Sequence, residues 1–82
     1  MAEYVGDDIL ATQLSVYKND IDAIAFRMDN LIGGLNNESH GYDQEYATWH
    51  AEELIDHMAD KAQKLADALH SLKKYTRTGS HR

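Results

Sequence analysis

The chain has no cysteine and no proline among its 82 residues. Without cysteine no disulfide can staple it, and its redox compartment cannot be read from thiols. Without proline it lacks the strongest helix breaker. Aromatic anchors are scarce, with one Phe and one Trp, and glycine is held to five. No apolar run approaches the ~20 residues that cross a bilayer. The segment MAEYVGDD has neither the basic nor the apolar region of a signal peptide. A soluble chain is expected, held in the cytoplasm or leaving by a non-classical route, with no membrane among its partners.

Basic residues are also scarce over most of the length. Residues 1–60 hold thirteen Asp and Glu against Lys18 and Arg27. The balance reverses in 61–82, where six Lys and Arg face Asp67. A mostly acidic body excludes direct binding to a nucleic-acid backbone. It leaves room for a basic partner, or for mimicry of nucleic acid toward a protein that binds it.

What the chain does have is helical period. Leu10, Leu14, Tyr17, Ile21, Ile24, Met28, Leu31 and Leu35 recur at alternating steps of four and three. That is the seam of a helix packed along its length. A first helix over 8–35 follows, with Asp7 or Asp8 as its cap. Gly33 and Gly34 stand in its last turn, so fraying from Ile32 onward is expected. Residues 36–42, NNESHGY, read as a loop. A second helix over 43–75 is capped by Asp43, with Ala47, Ala51, Leu54, Met58, Ala62, Leu65, Leu69 and Leu72 as its seam. Asp60 and Lys64 are spaced for an i,i+4 pair. The tail 76–82 is expected to be disordered.

Bulk on the first seam and alanine on the second allow close approach of two helices. The fold class is therefore all-α, a single domain made of a two-helix antiparallel hairpin. So short a chain has little core. Dimerisation into a four-helix bundle is the expected remedy, through a second copy or a helical partner.

The chemistry-bearing residues point away from catalysis. His50, Glu53 and His57 share one face of the second helix, at offsets that can ligate a metal. They are only three, from one helix, and so are not assigned as ligands; no cofactor is expected. The carboxylates Glu52, Asp56 and Asp60 are spaced as an exposed stripe, and a hairpin offers no sheltered cleft for acid–base work. Gly33-Gly34 follows a helix instead of opening one, which is the reverse of a phosphate loop. No enzyme is expected. Contacts are assigned to Val16, Phe26 and Trp49, off the main seams, with the loop around His40 and Tyr42 as a second surface.

A helix of this length, a polar turn and Trp49-His50-Ala51 near the start of a second helix look like the small WXG-type proteins of type VII secretion systems. The resemblance implies a helical hairpin that pairs with itself or a related chain into a four-helix bundle. Ala51 stands where that family has the Gly of Trp-x-Gly. Gly79 stands four after Tyr75, where its export signal has an acidic residue. Two further readings stay open: a small acidic inhibitor, of phage type or mimicking nucleic acid, that blocks a basic site; and a bundle that binds a metal or small ligand.

Overall fold

The structure, a computed structural model, describes residues 6–77. It contains α1 (Asp7–Leu35), α2 (Gln44–Leu72) and a 3-10 turn (Lys73–Tyr75). The two helices pack against each other as an antiparallel hairpin. The last residues assigned to the second helix from sequence thus tighten into the 3-10 turn. Of the expected tail, Thr76 and Arg77 are described, and 78–82 lie outside the described residues. No helix among the described residues is long and apolar enough to cross a membrane.

The termini of the helices explain their bounds. The residue before α1 is Gly6, and neither Asp7 nor Asp8 forms a side-chain cap; both sit inside the first turn, where their charge favours the helix dipole. At α2 the expected cap is present. The Asp43 carboxylate accepts from the backbone N–H of Glu45 at 3.1 Å and of Tyr46 at 3.4 Å. Lys64 reaches Asp60 at 3.3 Å, as their spacing requires.

Fraying from Ile32 does not occur. α1 stays helical to Leu35 and closes with a Schellman arrangement. Glu38 N–H donates to the Gly33 carbonyl at 2.8 Å, and Asn37 N–H to the Gly34 carbonyl at 3.0 Å. Asn37 takes the left-handed conformation (φ 55°) that this ending demands. Gly33 and Gly34 are both buried because the returning chain crosses them. A Cβ on Gly33 would stand 2.5 Å from the His40 carbonyl oxygen. Their cost to helix propensity is therefore offset by close packing of the backbone. Tyr42 N–H then donates to the Asn30 carbonyl at 3.0 Å, which ties the loop back onto α1.

The core lies at this closed end. Among the described residues, Leu31, Ala47 and Met58 are the buried large or aliphatic side chains, with Ile24, Tyr42, Ala51 and Leu54 against them. Farther out the hairpin is a single layer, 53 × 20 × 12 Å. Its radius of gyration is 17.4 Å, against about 12 Å for a compact chain of this length. Its accessible surface is 6244 Å², against about 5,000 Å² for a typical folded monomer of this mass.

One expectation about packing is corrected. The seam of α1 does not face α2 as a whole. Leu10, Tyr17, Ile24 and Leu31, seven apart, turn toward α2. The interleaved line Leu14, Ile21, Met28 and Leu35 is exposed. On α2, Ala62 is likewise exposed, although it continues the seam in sequence. A lone antiparallel neighbour covers one line of a wide stripe; the other line needs a second neighbour.

Candidate functional site

The exposed line of α1 is part of a larger surface. At about 100° per residue, Leu14, Ile21, Met28 and Ile32 fall on one flank of the buried line. They are 49%, 47%, 47% and 49% exposed. On α2 the same arithmetic places Ile55, Ala59, Ala62 and Ala66 on one flank of Met58 and Leu65, and all four are exposed. The opposite flanks of both helices meet in a groove, whose walls include Asp20 and Arg27 from α1 and Lys61 and Lys64 from α2. The two apolar flanks therefore share the other side of the layer. One broad side of the hairpin is apolar, bulky along α1 and small along α2.

The residues assigned to contacts from sequence are scattered relative to this side. Phe26 is 67% exposed and Trp49 78%. By helical phase Phe26 lies on the back of α1 and Trp49 on the back of α2, so they occupy opposite edges of the layer. Val16 is exposed on the groove side of α1. The structure does not bring these three together. His40 is exposed in the loop, with Nε2 3.4 Å from Glu38 and 3.8 Å from Asp29. Tyr42 packs against the core from one side and meets the Tyr46 ring edge-on at 5.3 Å. Tyr46 in turn lies 4.5 Å from the His50 ring.

His50 also approaches Glu53, at 4.0 Å. Among the described residues, no group of three or more His, Cys, Asp or Glu is placed to hold a metal ion. Exposed carboxylates surround Trp49 on the outer face of α2, namely Glu45, Glu52, Glu53 and Asp56.

Charge divides the layer along its length. Residues 22–60, the closed half, hold nine Asp and Glu and one cation, Arg27. Residues 7–21 and 61–77, the open half, hold four Asp and Glu and six Lys and Arg. The halves thus carry −8 and +2. Arg77, two residues past the 3-10 turn, lies 3.4 Å from Asp7 in the first turn of α1 at the open end.

Sequence reasoning missed the apolar side because it assigned Leu14, Ile21, Met28 and Leu35 to an intrachain core. The available signal was the narrowness of a hairpin contact, which accommodates one line per helix. No protein-family model, curated protein or solved structure matches this chain.

Proposed function

We propose that the protein is a non-enzymatic helical interaction module that pairs through its apolar side into a four-helix bundle. The partner is a second copy or another helical chain, as in the WXG-type hairpins it resembles. The observation that carries this reading is the continuous flank Leu14, Ile21, Met28 and Ile32, half exposed beside the alanines of α2. Single exposed apolar residues need no explanation, whereas a contiguous side of this kind marks an interface. The outline of that side is 53 × 20 Å, room for the roughly 800 Å² per partner of a standard interface. The surface excess over a typical monomer points the same way. Charge favours a copy laid with its acidic closed half over the basic open half of its mate.

The test is sedimentation equilibrium on the wild type and on Ile21→Glu. The expected result is a wild-type dimer at micromolar concentration and a helical Ile21→Glu monomer. A wild type that stays at 9.3 kDa and mixes with no helical partner would end the reading.

One observation favours a second reading, in which the chain is an acidic blocker of a basic site. Trp49 stands among Glu45, Glu52, Glu53 and Asp56, an arrangement suited to a cationic surface through charge and cation–π contact. Reversing Glu52, Glu53 and Asp56 separates the two, since pairing through the apolar side survives it and blocking does not.

A further inference from the structure

On the side away from the apolar flank, the two helices leave an open groove of about 270 Å³. Its cause is legible in α2. Between Met58 and Leu65 the sequence is ADKAQK, so one layer of the seam has no large apolar residue. Ile24, Met58 and Leu65 remain as apolar walls with nothing packed between them. Arg27, Lys61 and Lys64 stand around the same space, with Asp20 as the one carboxylate. Lys64 is paired with Asp60. Arg27 and Lys61 enter no ion pair among the described residues. Lys73 and Lys74, near the open end, are likewise outside any ion pair among the described residues. Two of these four described cations outside any ion pair, Arg27 and Lys61, thus line one apolar groove.

We propose that this groove binds a small amphiphile with a single anionic head, its apolar chain filling the missing layer of the seam between Ile24 and Leu65. The head lies between Arg27 and Lys61, and long basic side chains can serve it while their stems cover the chain. The volume sets the size. At about 30 Å³ per water-sized atom, 270 Å³ takes about nine such atoms. That suits a carboxylate of six to eight carbons. Because the groove and the apolar flank lie on opposite sides, the inference does not depend on pairing.

Octanoate is the probe, with octan-1-ol as its uncharged counterpart, on the full chain by isothermal titration and by backbone amide NMR. The expected result is saturable octanoate binding at one site, with shifts at Ile24, Met58 and Leu65 and a raised melting temperature. Octan-1-ol should bind at least tenfold more weakly. The double variant Arg27→Gln, Lys61→Gln should lower octanoate to the alcohol's level without loss of helicity. Ala68→Leu, which fills the groove, should remove both; Ala23→Leu on the facing wall serves if Ala68→Leu does not fold. Equal affinity for acid and alcohol would overturn the proposal. So would shifts centred on Leu14, Ile21 and Met28, octanoate binding untouched by the charge variants, or no saturation at millimolar octanoate.

Discussion

Gly34 and Ala47 meet across the closed end of the hairpin so closely that a Cβ built on Gly34 would stand 2.7 Å from the Ala47 Cβ. The same atom would lie 2.8 Å from the Tyr42 carbonyl oxygen. Gly34 is therefore the point on which α2 and the loop come down onto α1. Because Ala47 is fully buried there, neither residue can yield outward.

Gly34→Ala sets two effects against each other. Helix propensity favours Ala by about 1 kcal/mol. Forcing a methyl against backbone and a buried Cβ costs about 1–3 kcal/mol. The backbone neighbour cannot rotate away, so the steric effect wins. The expected outcome is a lower urea midpoint by circular dichroism. A midpoint equal to or above wild type would show that the closed end opens more readily than its packing implies.

Asp43→Ala removes the only acceptor for the side-chain cap of α2 seen in the structure. The loss should be about 1 kcal/mol, within the usual range for such caps. Asp43→Asn should recover most of it, because the amide oxygen still accepts from Glu45 and Tyr46. Chemical denaturation of the three proteins side by side checks this. Equal loss in both variants would assign the effect to charge at the helix dipole.

Within the proposed pairing, Ile21→Glu and Phe26→Ala distinguish the broad side of the layer from its edge. Ile21→Glu inserts a charge into the apolar side and should weaken association at least tenfold. Phe26→Ala should leave the dimer within a few-fold of wild type and leave helicity unchanged. The reverse order would move the interface to the edge formed by Phe26, and would give that residue the role its isolation in the sequence suggests.

The charge division between the halves predicts orientation. Laid with closed half over open half, two copies hold their loops far apart, at opposite ends of a layer 53 Å long. A spin label on Ser39→Cys, unambiguous in a chain without native cysteine, should report a long intermolecular distance and resist disulfide cross-linking. Raised salt should weaken such a dimer only a few-fold, since screening removes the charge contribution and leaves the apolar one. Ready cross-linking of Ser39→Cys, with association strengthened by salt, would reverse the orientation.

The features legible in the sequence were those within reach of one or two helical turns. The stripe from Leu10 to Leu35 predicted α1, Asp43 predicted the start of α2, and the spacing of Asp60 and Lys64 predicted their pair. Each rests on the fixed period and cap geometry of a helix, which neighbouring residues set among themselves. Tertiary structure alone decided the rest. Leu10, Tyr17, Ile24 and Leu31 are no more apolar than Leu14, Ile21, Met28 and Leu35, so composition cannot say which line meets α2. The choice follows from how the loop brings Ala47 down on Gly34, which sets the rotation of one helix about the other. That rotation turns Ile21 outward, opens the groove beneath Ile24 and leaves Arg27 and Lys61 together beside it.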